Sequence, residues 1–196
     1  MKSTIVDRFL IALNFALVAA VVVFLVKPGG MLRNSVDRLW VERRAKRLLS
    51  EDWQRIISGT PTMAGDSANI EVVLFSDYEC PFCRATYPSL ISISSRPLGA
   101  GIALRHLASS AHPNAHRAAA AAICAGEQRR FSAMNALLFT ARLDSLGLDW
   151  GDAASASGVS DVTTFLRCMS DPSIAARISA DSALAAELGI RATPTF

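Results

Sequence analysis

The chain has 196 residues, of which 51% are apolar, and a net charge of +3. This length allows one globular domain with additional segments, and the apolar fraction is sufficient for a buried core. The basic residues concentrate between Lys27 and Arg55. The charge therefore belongs to one local segment and does not describe a nucleic-acid groove, so we expect no nucleic-acid partner.

The N-terminal segment is strongly apolar. Phe9 to Val26 is an eighteen-residue stretch that only Asn14 interrupts. A helix of this length, at about 1.5 Å per residue, just crosses the apolar core of a bilayer. A cleavable signal peptide is the alternative, but its apolar core is usually shorter, and no small-x-small cleavage site follows Leu25. We expect residues 1–30 to form an uncleaved N-terminal transmembrane helix.

Residues 31–69 are predicted to connect this anchor to the main domain. Ser35 to Ile57 carries apolar residues at three- and four-residue steps, which is typical of an amphipathic helix. We interpret it as a spacer that packs on the domain, with binding to anionic lipid headgroups or pairing with a second copy as alternatives. Thr60 to Asn69 is rich in turn-forming residues and is predicted to be a linker.

A Cys-x-x-Cys motif, Cys80-Pro81-Phe82-Cys83, follows the apolar run Ile70 to Phe75. The run indicates a buried strand, and Pro81 suits the first turn of a helix because its missing N–H costs nothing there. Cys80 would then lie at a helix N-terminus, which favours a thiolate and lowers its pKa from the usual value of about 8.5. Cys83, one turn further, can attack a mixed disulfide on Cys80, so the motif predicts dithiol–disulfide exchange.

Structural uses of this cysteine pair are the alternatives. A zinc site needs four ligands, and Cys124 and Cys168 stand alone at long spacings. His112 and His116 are four residues apart but have no carboxylate or thiol at matching spacing, so we expect capping and surface roles and no metal site. A local structural disulfide, or two inert core cysteines, fits poorly with the preceding strand and with Pro81.

Downstream of the motif, a helix is predicted to run to about Ser94, bent or interrupted near Pro88. Arg96 to Gly101 is a predicted turn, and Ile102 to Leu107 is a second strand in which His106 has a structural role. Strand, helix and strand predict a parallel pair with a right-handed crossover. The remaining predicted helices are 115–125, 131–139, 149–156, 162–169 and 172–188, followed by a stop at Gly189.

These segments resemble the DsbA-like branch of the thioredoxin superfamily. The resemblance rests on Val73 to Cys83, Leu104 to Leu107 with His112 to Ala115, Ala118 to Cys124 with Glu127, Gln128 and Phe131, and Leu188 to Phe196. It implies an α/β fold: a thioredoxin fold over residues 70–196, with an inserted helical subdomain at about 112–189, preceded by the transmembrane helix.

The resemblance also implies the roles of individual residues. Cys80 and Cys83 would be the catalytic, redox-active disulfide, with no further cofactor. Pro194 would be a cis proline lying against the sulfurs, and Thr193 would offer exposed backbone to an extended substrate chain. Pro81 and Phe82 would support the site, and Phe82 tunes the stability of the thiolate without offering a charge.

A second, non-catalytic disulfide between Cys124 and Cys168 is suggested by the same resemblance, and two free buried thiols are the alternative. The chain departs from the family at Leu74, where many relatives carry a buried acidic residue that relays protons, so water or another group would have to replace that relay. Ser132 replaces a common aromatic residue. The family continues beyond Phe196 with two strands and a closing helix, so we expect the sequence to be a fragment of a longer gene product.

The predicted function is a membrane-anchored thiol-disulfide oxidoreductase that exchanges disulfides with secreted or periplasmic protein thiols and is recharged by a membrane redox partner. More Lys and Arg follow the anchor than precede it, which by the positive-inside rule places the domain in the cytoplasm. An oxidant belongs in an oxidising compartment, and we favour the periplasmic side of a bacterial inner membrane on that ground. The alternatives are a disulfide reductase or isomerase with the same site, and a non-catalytic peptide-binding module.

Overall fold

The computed structural model describes residues 3–27, 31–64, 70–95, 101–141, 143 and 149–196. The chain divides into two compact units, Met1–Lys46 and Arg47–Phe196. Residues 28–30 of the predicted anchor, 65–69 of the predicted linker and 96–100 of the predicted turn lie outside the described residues.

The first unit contains helix α1 (Ser3–Val26) and most of helix α2 (Met31–Glu51). Large apolar side chains of α1 are exposed to solvent; they are Leu13, Phe15, Leu17, Val18, Val21, Val22, Val23 and Phe24. Within the described residues, no helix meets the length and apolarity needed to cross a membrane. The span predicted for Phe9 to Val26 is therefore unconfirmed.

The second unit begins with the end of α2 and the short helix α3 (Trp53–Ile57). The single helix predicted from Ser35 to Ile57 is wrong in its continuity, because Asp52 leaves the helical region with φ −132° and ψ 34°. Leu48 and Ile56, on the two sides of this break, are buried in one apolar cluster with Phe75. The spacer packs on the domain through these residues.

The sheet contains β1 (Thr62–Ala64), β2 (Ile70–Ser76) and β3 (Gly101–His106) in the order β1-β3-β2. The predicted parallel pairing of β2 with β3 is confirmed, with Leu74 beside Leu104 and Ser76 beside His106. Strand β1 pairs antiparallel with β3 inside the predicted linker, which is therefore wrong for these three residues. A three-residue strand is too short to show alternation in the sequence.

The two faces of the sheet bury different clusters, because successive side chains of a strand point to opposite sides. Leu74, Ile102 and Leu104 face the helical part of the domain. Val73, Phe75 and Ala103 pack with the residues around the α2–α3 break. The helices that follow are α4 (Pro81–Ser94), α5 (Ala115–Glu127), α6 (Phe131–Thr140), α7 (Trp150–Ala156), α8 (Val162–Met169) and α9 (Pro172–Glu187).

Local sequence signals explain where these helices begin and end. Asp149, Asp161 and Asp171 cap α7, α8 and α9, since each carboxylate accepts backbone N–H groups of the first turn. Gly189 follows α9 with φ +75°, a backbone conformation that glycine adopts without a steric penalty. Helix α4 contains Pro88 and continues past it to Ser94, so the helix is not interrupted there.

Candidate active site

The Cys-x-x-Cys motif lies where β2 turns into α4. Cys80 is the N-cap residue of α4, and Pro81 opens the helix. The backbone N–H of Cys80 donates to the Asp77 carbonyl at 3.2 Å, and the Arg84 N–H donates to the Cys80 carbonyl at 3.1 Å. Both cysteines are free thiols and buried, whereas the Phe82 side chain between them is 71% exposed.

The two thiols have opposite pKa shifts. Burial acts to raise the pKa of Cys80, but hydrogen bonds with the Thr193 side chain, with Cys83 and with the Phe82 backbone lower it below the ordinary value. Burial raises the pKa of Cys83, and the opposing influence of the neighbouring Ser76, Asp77 and Thr193 does not overcome it. Cys80 is therefore the readier nucleophile, and Cys83 holds its proton more tightly.

The chain returns to this site at its Thr-Pro-Thr segment. The Thr193–Pro194 peptide bond is cis. The Cys80 thiol donates to the Thr193 carbonyl at 3.4 Å. Thr195 exchanges two backbone hydrogen bonds with Phe75, at 2.9 and 3.1 Å, which fix the segment along the edge of β2. The structure thus brings Cys80, Cys83 and Thr193 together from segments more than a hundred residues apart.

Asp77 holds the loop around the dithiol, a role that sequence reasoning missed. Its carboxylate, whose side chain is fully buried, accepts the backbone N–H groups of Glu79 and Ser109, each at 2.8 Å. The His112 Nδ1 atom lies 2.8 Å from the same carboxylate. His112 therefore pairs with Asp77, three residues before the motif, while His116 on α5 is exposed.

Glu79 makes a second connection to the same region. Its carboxylate accepts the Asn114 backbone N–H at 2.6 Å and the Asn114 side-chain amide at 3.1 Å. The segment between β3 and α5 is thus bound to residues on either side of Tyr78. The sequence shows the residues that make these contacts but not the contacts themselves. Two acidic residues precede the motif, and His112 and Asn114 lie in another segment that carries the resemblance.

Tyr78 connects the motif to the helical subdomain. Its hydroxyl donates to the Asn135 side-chain carbonyl of α6 at 2.9 Å. Its ring packs on Phe139 at 4.7 Å between ring centroids, and Tyr87 of α4 stacks on the same Phe139 ring at 4.5 Å. The motif and α6 therefore form one packed body.

Cys124 and Cys168 do not belong to this site. They form a disulfide that joins α5 to α8, with a sequence separation of 44 residues. Both helices belong to the region between β3 and the Thr-Pro-Thr segment, so the disulfide crosslinks two helices within the helical subdomain.

Comparisons with known proteins agree with this geometry. Residues 58–196 match the thioredoxin family. A thioredoxin-like oxidoreductase from Silicibacter pomeroyi DSS-3 superposes with a TM-score of 0.63 at 24% identity, covering 74% of this chain and 83% of that chain. DsbA2 from Pseudomonas aeruginosa gives a TM-score of 0.56 at 26% identity, covering 70% and 80%. A comparison with curated proteins finds no match.

The thiol-disulfide exchange protein alpha-DsbA2 from Wolbachia pipientis has the same fold, with a TM-score of 0.63 at 17% identity, covering 79% of this chain and 83% of that chain. The chain belongs to the thioredoxin family, and its structural neighbours are thiol-disulfide oxidoreductases of the DsbA type.

The opposite pKa shifts predict a pH dependence for alkylation of the reduced protein. The lowered pKa of Cys80 keeps its thiolate present at pH values where an ordinary cysteine is protonated, so its reaction with iodoacetamide should be lost only as the pH falls through that lowered pKa. Cys83, with a raised pKa, should react only at higher pH. Mass spectrometry of the alkylated protein checks both, and equal midpoints for the two thiols would contradict the assignment.

Proposed function

We propose that the protein exchanges disulfides with the thiols of other proteins through Cys80 and Cys83. The observation that supports this most directly is the pairing of a lowered pKa at Cys80 with a raised pKa at Cys83. Exchange needs one thiol that attacks or leaves as a thiolate and a second that stays protected until a mixed disulfide forms. The redox-active disulfide is the only redox group that the proposal requires.

The chemistry then follows from sulfur exchange. A substrate thiolate attacks Cys80 of the Cys80–Cys83 disulfide and forms a mixed disulfide, and Cys83 leaves with the electron pair. A second substrate thiol attacks the substrate sulfur of that bond, which releases an oxidised substrate and leaves the dithiol. The exposed Phe82 ring offers an apolar contact beside the reacting sulfur. The Thr193 backbone, next to Cys80, would orient an extended substrate chain.

The direction of exchange depends on the potential of the pair, because about 30 mV corresponds to 1.4 kcal/mol for this two-electron couple. We propose the oxidising direction, since a stabilised Cys80 thiolate favours the reduced protein and makes its disulfide a stronger oxidant. A reductase or isomerase would use the same residues with a lower potential.

An equilibrium titration of Cys80 and Cys83 against reduced and oxidised glutathione tests the proposal. We expect reversible exchange and a midpoint more oxidising than the glutathione pool. A midpoint more reducing than that pool would replace the oxidase by a reductase or isomerase. The absence of reversible exchange would leave only a peptide-binding module.

We further propose that the protein acts at the periplasmic side of a bacterial inner membrane, anchored by α1 and recharged there by a membrane redox partner. The support is the apolar stretch Phe9 to Val26 and the exposure of large apolar side chains along α1. The basic residues that follow the stretch oppose this orientation under the positive-inside rule.

Membrane fractionation tests the anchor, and thiol labelling tests on which side of the membrane the domain lies. The chain should stay with membranes after alkaline carbonate washing, and the double variant Val18→Arg/Val22→Arg should be released, because charges at the middle of the helix are costly in lipid. In intact spheroplasts, a membrane-impermeant maleimide should label reduced Cys80. Labelling only after lysis would place the domain in the cytoplasm, and release of the unmodified chain by carbonate would exclude the anchor.

A further inference from the structure

Cys83 must exchange a proton during the proposed reaction, although it is buried. Burial raises the pKa of this thiol, so ionisation is unfavourable at the moment when Cys83 attacks a mixed disulfide or leaves from one. Leu74 of β2 belongs to the same buried cluster as Cys83, but its side chain is apolar and cannot take the proton. The route must therefore use other groups beside the sulfur.

Ser76 is a candidate for exchanging the Cys83 proton. It is 4% exposed, at the carboxyl end of β2. It lies close enough to Cys83 to act against the rise in the pKa of that thiol. Its Oγ atom has no partner in full hydrogen-bond geometry among the described residues, although a buried hydroxyl normally has one. The hydroxyl thus acts on Cys83 but makes no hydrogen bond in this structure, to the sulfur or to any other described group, and it remains available for one.

His106 is the neighbour of Ser76 on β3. The two residues are register partners of a parallel pair, so their side chains leave the same face of the sheet from strands about 4.8 Å apart. The His106 ring is buried and packs against Tyr78, with 5.8 Å between ring centroids. Its Nε2 atom is a second buried polar atom without a partner among the described residues.

Burial keeps the His106 imidazole neutral. Burial is the largest effect, and Arg177 and Arg105 act in the same direction against Asp181, which lowers the pKa of His106 to about 4. Asp181 is occupied by two other donors: the His106 backbone N–H at 2.8 Å and Arg105 at 2.7 Å. A neutral imidazole has one nitrogen that accepts and one that donates.

A cavity of about 160 Å³ is lined in part by His106. It is bounded by the segment Ser58–Pro61, by His106 and by α9, and its rim residues Ser58, Gly59 and Ala180 are exposed. At about 30 Å³ for each molecule in the liquid, this space accommodates several waters. His106, the register partner of Ser76, therefore borders a space that water can enter.

We propose that Ser76 and His106 form the proton path of Cys83, with the Ser76 hydroxyl contacting the sulfur and the His106 ring passing the proton between that hydroxyl and water in the cavity. The inference rests on the proposed disulfide exchange and names residues that serve that same site.

The step balances without another reactant. When the Cys83 sulfur attacks the Cys80 sulfur of a mixed disulfide, the Cys80–Cys83 bond forms and the bond from Cys80 to the partner sulfur breaks. The partner leaves as a thiolate with the electron pair and takes a proton from solvent. The Cys83 proton moves to Ser76 as the Ser76 proton moves to His106, and His106 releases its other ring proton to water. In the opposite direction the same path protonates the leaving Cys83 thiolate.

Rapid acid quenching of the reduced full chain, mixed with oxidised glutathione, separates two steps. Formation of the mixed disulfide at Cys80 depends on the glutathione concentration, whereas ring closure by Cys83 does not. We expect Ser76→Ala and His106→Phe each to slow closure by at least about a hundredfold, the low end for a lost proton transfer, while formation is unchanged. Ser76→Thr should restore closure because it keeps the hydroxyl.

Ser157→Ala is the matched control, because Ser157 is also 4% exposed but lies after α7, where its hydroxyl donates to the Ala154 carbonyl. Unchanged closure in both Ser76→Ala and His106→Phe, equal slowing in Ser157→Ala, or no rescue by Ser76→Thr would overturn the path. Should Ser76→Ala fail to fold, His106→Phe alone decides, since its ring preserves the packing on Tyr78. If the unmodified chain forms no mixed disulfide, the proposed function fails instead of the path.

Discussion

Replacing Cys80 by serine should abolish turnover of a dithiol substrate, with a loss of at least about 10³-fold, as expected for removal of a nucleophile. The reason is chemical: the thiolate is the reacting species, and a hydroxyl neither ionises at neutral pH nor forms a disulfide. Cys80 is also the thiol whose pKa is lowered and whose sulfur contacts the Thr193 carbonyl. Oxidation of a reduced peptide with two cysteines, followed by mass spectrometry, measures the loss.

Cys83→Ser should behave differently from Cys80→Ser. It keeps the attacking thiol but lacks the resolving one, so reaction with a disulfide substrate should stop at a stable mixed disulfide on Cys80. The double variant Cys124→Ala/Cys168→Ala is the control, because it removes two cysteines from helices that do not reach the site, and it should keep its exchange activity while it remains folded.

Two results would contradict the catalytic assignment of Cys80. Turnover by Cys80→Ser would place the chemistry elsewhere in the chain. A trapped mixed disulfide on Cys80→Ser, absent from Cys83→Ser, would exchange the roles of the two thiols. Retained binding of a substrate peptide by Cys80→Ser without turnover fits a catalyst, whereas a non-catalytic module would show the same peptide binding and no turnover in the unmodified chain.

The local signals around the motif were sufficient to predict the junction that carries it. A run of β-branched residues before Cys80 and a proline directly after it specify a strand that ends and a helix that begins, and both effects act within a few residues. The pairing of β2 with β3 followed from the short crossover between them.

The contacts that hold the site together were not predictable from these local signals. Asp77 and Glu79 bind N–H groups of residues about 30 positions away, and such pairings depend on the path of the segment after β3. Ser76 lies just beyond the apolar run Ile70 to Phe75 and was given no role, because a serine gains a role beside Cys83 only when the fold places it there. Strand β1 was missed for the same reason, since its pairing with β3 and not its own pattern makes it a strand.

The second prediction concerns protein stability and a buried ion pair. Arg105 of β3 donates to Asp181 of α9 at 2.7 Å, and its other N–H groups donate to the carbonyls of Arg55, Ile56 and Ser58 at 2.7 to 3.2 Å. The side chains of the pair are only 12% and 10% exposed. The second Asp181 oxygen accepts the His106 backbone N–H at 2.8 Å. One carboxylate thus joins α9 to the end of β3 that carries His106.

Asp181→Ala is therefore expected to destabilise the protein by about 3–5 kcal/mol, because it leaves a buried guanidinium without its counter-charge and a buried N–H without an acceptor. Asp181→Asn, which keeps the shape, should cost less. The control is Glu127→Ala: its pair with Arg177 has the same 2.7 Å separation, but the Arg177 and Glu127 side chains are 44% and 60% exposed, so the loss should stay below about 1 kcal/mol. Guanidinium unfolding under non-reducing conditions measures all three. Equal losses for Asp181→Ala and Glu127→Ala would show that burial does not set the value of the Arg105–Asp181 pair.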